Sequence, residues 1–241
     1  MRISLEKCIG CMRCIDICCG GAILPIGEQC TVDEDKCVEC YVCQRSGICP
    51  TDAFEEVPLI WPRTLRRAFS SVSAFHKGTG ITGRGTAEMK NNDVTGRYRL
   101  GEVGFTVDIG RPGIGTSFED VEMIAMAVAS LGVRFEPTNP TTKLMADTRS
   151  GRFRDDIKKE RVLSCILEFK TEDSRLLSVI NALKDISKNI NTVFSLGCIC
   201  RCRADGTAPV QAMLDEAGIF YRPNGKTNVG LGRPLIRNRE N

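Results

Sequence analysis

The sequence predicts an α+β protein in two parts, a small N-terminal domain organised by cysteine and a split βαβ sandwich domain behind it. Three observations carry this. Ten of the fourteen cysteines lie before residue 50, two strand-helix-strand patterns follow one another after residue 100, and a basic stretch rich in proline and glycine separates them. A chain of 241 residues has room for two domains, since one usually takes roughly 100–200 residues. The expected boundaries are 1–57 for the cysteine domain, 58–100 for a linker or wrapping loop, and 101–241 for the βαβ-repeat domain with a turn-rich tail.

The first element is defined by spacing. Cys8, Cys11, Cys14 and Cys18 make C-x2-C-x2-C-x3-C, and Cys37, Cys40, Cys43 and Cys49 make C-x2-C-x2-C-x5-C-P. A disulfide framework needs an oxidising compartment, whereas "MRISLEKCIG" has neither an apolar core nor a small-residue cleavage site for export. The longest apolar stretch, "MIAMAVASLGV", falls short of the about 20 residues that span a membrane. A cytoplasmic protein with no membrane partner is expected. Two structural zincs are the main rival for the thiols, but zinc sites place paired CxxC knuckles well apart. Three cysteines at successive i+3 spacing, twice over, favour iron–sulfur clusters.

These runs resemble the bacterial two-cluster ferredoxins. The resemblance implies a 2[4Fe–4S] ferredoxin domain in which the fourth cysteine of each run crosses to the other cluster. Cluster one then takes Cys8, Cys11, Cys14 and Cys49, and cluster two takes Cys37, Cys40, Cys43 and Cys18. Gly10 suits close backbone approach, and Ala22 and Ala53 suit close packing between the cubes. There are two departures from the family. Cys19 stands where proline is usual, a nearby free thiol. Five residues, Gln44 to Ile48, stand where three are standard, which places Arg45 and Ser46 to hydrogen-bond a cluster sulfur or a partner and raise the potential. Cys30 lies outside both patterns and reads as a packed thiol.

The net charge of +3 hides a division. Residues 1–60 carry five Lys/Arg against ten Asp/Glu, whereas residues 61–100 carry eight Lys/Arg against Glu88 and Asp93. An acidic module docked on a basic linker explains this better than nucleic acid, because aromatic residues for stacking bases are scarce. In "VPLIWPRTLRRAF", Pro58 and Pro62 interrupt helix, Trp61 offers an apolar anchor against the cluster module, and Arg63, Arg66 and Arg67 face acid or solvent. The glycine-rich "HKGTGITGRGTAEMKNNDVTGRYRLG" reads as either a disordered linker or an ordered binding loop.

Beyond residue 100, "GEVGFTVDIG" alternates as a half-buried strand, "SFEDVEMIAMAVASLG" has helical period, and "VRFEP" is a short strand. The order recurs in "RVLSCILEFK", "EDSRLLSVINALKDISKN" and "NTVFSLGCIC". Two such units suggest a split βαβ, ferredoxin-like sheet, similar to small regulatory domains of the ACT type. "GRPGIGTSFED" reads as a tight turn into a helix, with an anion site as the sharper alternative. Cys198, Cys200 and Cys202 point to one strand face with Cys165 on a neighbour, either a core thiol ladder or a third metal site. "FYRPNGKTNVGLGRPLIR" reads as ordered turns with basic side chains.

With "GRGTAEMKNNDVTGR", that tail is similar to the iron–sulfur portion of anaerobic reductases of the 6-hydroxynicotinate reductase type. This implies an oxidoreductase component whose clusters feed a flavin or substrate site on another chain or domain. The expected function is electron transfer through two [4Fe–4S] clusters to a partner reductase or flavoprotein subunit, within a hetero- or homo-oligomer. Two alternatives stand beside it: a catalytic reductase component binding an anionic N-heterocyclic or carboxylate small molecule, and a redox-sensing or sulfur-relay protein with an ACT-like domain. For catalysis the candidates are few, His76, Lys77, Lys90, Asp93 and Asp108, and no catalytic residue is assigned.

Overall fold

The structure, a computed structural model, describes residues 1–71, 74–76, 81–82 and 98–222. The rest of the glycine-rich stretch, with Lys77, Lys90 and Asp93, and the tail from residue 223 lie outside the described residues. Among the described residues no helix is long and apolar enough to cross a membrane.

The N-terminal part has little regular structure. Strand β1 (Arg2–Ile3) pairs with β4 (Phe54–Glu55), a hairpin joins β2 (Ile23–Ile26) to β3 (Gln29–Val32), and two short helices carry the third cysteine of each triple, α1 (Arg13–Ile17) and α2 (Val42–Arg45). Its core is correspondingly small. Met1, Ile3, Ile23, Cys30, Tyr41, Ala53 and Phe54 cluster beneath the cysteines, too few side chains to hold so many loops by apolar burial alone.

Helix α3 (Thr64–Ser70) lies within the stretch expected as a linker or wrapping loop. At positions 65, 68 and 69 it turns Leu65, Ala68 and Phe69 into the core of the second domain. On the other side Arg63 and Arg66 reach the cysteine domain, as the helical period requires. Trp61 also departs from its expected place. Its indole N–H donates to Asp156 at 2.5 Å and Arg154 lies over its ring at 4.9 Å, so it packs against the second domain. Beyond it, β5 (Phe75–His76) pairs with β6 (Ile81–Thr82).

The second domain is built on β7 (Glu102–Ile109), β9 (Arg134–Phe135), β13 (Cys165–Glu172) and β14 (Phe194–Cys200), with helices α4 (Phe118–Ala129) and α5 (Leu176–Ile186) between them in the chain. The sheet order is β14-β7-β13-β9 and every neighbouring pair is antiparallel. The two strand-helix-strand units therefore interleave. Val103, Phe105, Val107 and Ile109 alternate into a core with Leu167, Phe169 and the inner faces of α4 and α5. Burying a side chain of that size contributes about 1.5–3 kcal/mol. The remaining pieces are β8 (Thr116–Ser117) paired with β12 (Arg161–Val162), β10 (Met145–Asp147) paired with β11 (Arg152–Phe153), and the terminal helix α6 (Pro209–Glu216).

Strand β7 is not half-buried as its alternation suggests. Its second face is covered too: the Tyr98 ring lies where a Cβ on Gly104 would stand, and Thr106 is buried. Beside it on β13, the fully buried Glu168 accepts a 2.8 Å hydrogen bond from the Asn139 amide.

Candidate metal centre

Both cysteine runs fold alike, beginning with the backbone. The middle cysteine of each triple stands between two residues of positive φ, Gly10 (67°) and Met12 (58°) around Cys11, and Glu39 (53°) and Tyr41 (61°) around Cys40. Three of those four residues carry side chains, for which this region costs about 1–2 kcal/mol each. Gly10 has a further reason to be glycine, because the Glu28 carbonyl would lie 1.8 Å from its Cβ. The third cysteines, Cys14 and Cys43, ride on α1 and α2. Three residues after each fourth cysteine the backbone again turns left-handed, at Gly21 (61°) and Asp52 (48°). One residue later a buried alanine donates its N–H to that cysteine's sulfur, Ala22 to Cys18 and Ala53 to Cys49, both at 3.2 Å.

These turns aim the thiols into two cavities, and the runs cross between them. Cys8, Cys11 and Cys14 line one of about 340 Å³ together with Cys49 from the other run. Cys37, Cys40 and Cys43 line the second, about 390 Å³, together with Cys18. Both volumes include the openings to solvent. Apolar walls complete them, Ile3, Ile48 and Phe54 in the first and Ile23, Val38 and Tyr41 in the second. Among the described residues no three His, Cys, Asp or Glu side chains converge closely enough to hold a single metal ion. Each cavity is instead lined by four thiols drawn from both runs.

Burial pushes Cys37 up to about 11 and Cys43 up to about 12. Cys14 is pushed up to about 12 by burial and by the neighbouring Cys30. Contact with Cys19, then burial, raises Cys40 as well. Burial opposes ionisation of Cys49 too, but the Ala53 N–H and the Thr51 hydroxyl outweigh it and bring that thiol below the usual range. Loading a metal therefore means displacing protons that the apolar walls favour, with the metal's own charge making up the difference.

Each cavity has a fifth thiol beside it. Cys30 lines the first cavity, buried on β3, with its Sγ 3.3 Å from Met12 Sδ. Spacing could not show this, because the hairpin register brings Cys30 there. At the second cavity, Cys19 Sγ lies 3.4 Å from Cys40 Sγ.

The second cavity is surrounded by cations. Arg45 donates to the Cys40 carbonyl at 2.8 Å, and the Ser46 hydroxyl donates to the Cys43 carbonyl at 2.9 Å. Both meet backbone oxygens of the cysteine run itself. Buried Arg66 donates to the carbonyls of Glu34, Asp35 and Cys37 and pairs with Glu160 of the second domain at 2.5 Å. Glu39, fully buried, accepts from the Met1 ammonium at 2.8 Å and from Arg63 at 2.7 Å. Burial works against its charge, yet these two cations hold it below the usual carboxylate range. Of the two environments the sequence left open for Arg63, Arg66 and Arg67, acid or solvent, all three have the acid, and Arg66 meets it from a buried position.

The other candidates stand apart. In the glycine turn, Ser117 caps α4 by accepting from the Asp120 N–H at 3.1 Å, and Arg111 folds back to Ser195 at 2.6 Å. The Gly113 N–H of that turn donates to the Cys19 carbonyl at 2.6 Å, joining the two domains beside the second cavity. Cys165 pairs opposite Ile109 and Cys200 opposite Val103, six residues apart along β7 and hence about 20 Å. That register separates Cys165 from the Cys198, Cys200 and Cys202 group. Cys198 and Cys200 pack against the core, burial pushing Cys198 up to about 12, whereas Cys202 is exposed. Asp108 sits on β7 opposite Ser195 and Ile166, and lines neither cavity.

No protein-family model matches the chain, and no solved structure matches it. Over 55 residues it is 38% identical to an uncharacterized ferredoxin of Methanocaldococcus jannaschii, a match covering 21% of this chain and 69% of that protein. With its cysteine runs so folded, the chain belongs to the ferredoxin family and carries a ferredoxin-like iron–sulfur domain.

Proposed function

We propose that this domain holds two [4Fe–4S] clusters, one on Cys8, Cys11, Cys14 and Cys49 and one on Cys37, Cys40, Cys43 and Cys18, and that the chain passes single electrons through them. The observation that carries this is the crossing of the runs, since each cavity is lined by three cysteines of one run and the fourth of the other. Such clusters supply one-electron chemistry when bound.

The chain's own residues prepare the sites. Left-handed turns present the thiols, Ala22 and Ala53 donate N–H groups to Cys18 and Cys49, and apolar walls exclude water. Arg66 and the Cys19–Gly113 hydrogen bond hold the second cavity against the second domain. The described residues 101–222 support the split βαβ, ACT-like reading through their interleaved sheet. Their role in this reading is to dock a redox partner, an anaerobic reductase or flavoprotein subunit.

The test is iron and acid-labile sulfide per chain on anaerobically purified protein, with EPR after dithionite reduction. About eight of each with coupled signals is the expected result. Zinc without sulfide would overturn the reading.

A further inference from the structure

Cys19 belongs to neither set of four, yet its Sγ lies 3.4 Å from Cys40 Sγ, a thiol that lines the second cavity. The likeness between the two runs shows what is unusual about it. Cys18 and Cys49 correspond, each receiving an N–H from the alanine four residues on, so Cys19 corresponds to Pro50. The turn at the first cavity is thus made with proline at that position, and its geometry does not call for a thiol there. The backbone of Cys19 is held by Gly113, whose N–H donates to its carbonyl at 2.6 Å. Its side chain keeps its own torsion. Gly20 and Gly21 follow, and the space where a Gly21 Cβ would stand has no atom within 4 Å.

We propose that Cys19 is a reserve ligand of the second site, able to replace Cys40 on the iron that Cys40 holds. The inference rests on the two-cluster reading. In the exchange the iron–sulfur bond to Cys40 breaks and one to Cys19 forms. The proton leaving the Cys19 thiol passes to Cys40 across the contact between the sulfurs. No electron is gained or lost, so no oxidant or reductant is required. The second site would accordingly have two ligand sets, Cys18, Cys37 and Cys43 with either Cys40 or Cys19.

The test compares wild type, Cys40→Ala, Cys40→Ser and the double variant Cys19→Ala/Cys40→Ala, all purified anaerobically. Iron and sulfide per chain are measured, and iodoacetamide labelling of Cys19 is mapped by mass spectrometry on the folded proteins. The expected result is about eight irons in wild type and in both single variants, with fewer in the double variant. Cys19 labels in wild type and becomes protected once Cys40 is gone. The serine variant keeps the side-chain volume but its oxygen can itself bind iron, so there the protection of Cys19 from labelling decides, and a folding failure of the alanine variant leaves the test standing. Single variants with the iron content of the double variant, or Cys19 labelling as fast in them as in wild type, would overturn the inference while leaving the two-cluster reading intact. Wild type without iron would overturn both.

Discussion

The two cavities share a backbone and differ in what surrounds it. Around the first, Cys11 is exposed, Ile9 is 66% exposed and Leu5 51%. Around the second, Cys40, Tyr41 and Glu39 are all buried, and Arg45, Arg66, Arg63 and the Gly113 loop close over it. Positive φ flanks the middle cysteine in both, and an alanine N–H meets the fourth sulfur in both. The lesson is that chelating geometry is local, whereas electrostatic environment comes from distant sequence. Among the described residues, the second domain's hydrogen bonds reach the second site, through Gly113 and Glu160.

The largest effect is expected from the residues that cross. Cys49→Ala should remove the cluster from the first site, although the other three thiols there come from the other run. Cys18→Ala should do the same to the second. In each variant iron falls from about eight per chain toward about four, and the coupling between the two EPR signals disappears. A Cys49→Ala protein that instead loses the site lined by Cys37, Cys40 and Cys43 would show that each run closes on itself.

Next comes Arg66, which belongs to the second site alone. Arg66→Ala leaves Glu160 and the carbonyls of Glu34, Asp35 and Cys37 without their donor. Breaking a buried pair from one side costs about 3–5 kcal/mol, enough to lower the melting temperature of the anaerobic holoprotein by several degrees. Arg2→Ala, which removes an exposed pair with Glu55 beside the first site, should cost under about 1 kcal/mol. Equal losses would mean that α3 does not hold the second site as its hydrogen bonds indicate.

How much of this could be read from the sequence follows the same division. Strands and helices of the second domain were legible because alternation and helical period are local properties of "GEVGFTVDIG" and "EDSRLLSVINALKDISKN". Cysteine spacing pointed to clusters for the same reason. What was not legible depends on contacts distant in sequence. Glycine signals a left-handed turn, but Met12, Glu39, Tyr41 and Asp52 adopt one with side chains that give no such sign. Cys30 reaches its cavity through the register of a hairpin, in which it pairs with Pro25. Tyr98 and Asn139 cover the second face of the sheet from loops outside the strands, so alternation alone misjudged β7. Trp61 went to Asp156 because an indole N–H needs an acceptor, which the apolar reading of that residue left out.

The smallest predicted effect separates the sites by charge. Arg45 lies at the rim of the second cavity, exposed, with its guanidinium on the Cys40 carbonyl. Reduction adds a negative charge to a cluster, so a nearby cation favours the reduced state, and Arg45→Ala should lower the midpoint potential of the second site. The interaction of exposed charges at several Å is worth about 1 kcal/mol or less, and a one-electron couple moves by about 59 mV for each tenfold change in equilibrium. A shift of tens of mV is therefore expected at the second site and none at the first, read by an EPR-monitored redox titration that resolves both signals. An equal shift at both sites would mean that Arg45 acts through the domain as a whole. In that case the electrostatic difference between the cavities would have to come from elsewhere, and the titration of Arg66→Gln, which removes the α3 cation beside the Cys37 carbonyl, would measure that contribution.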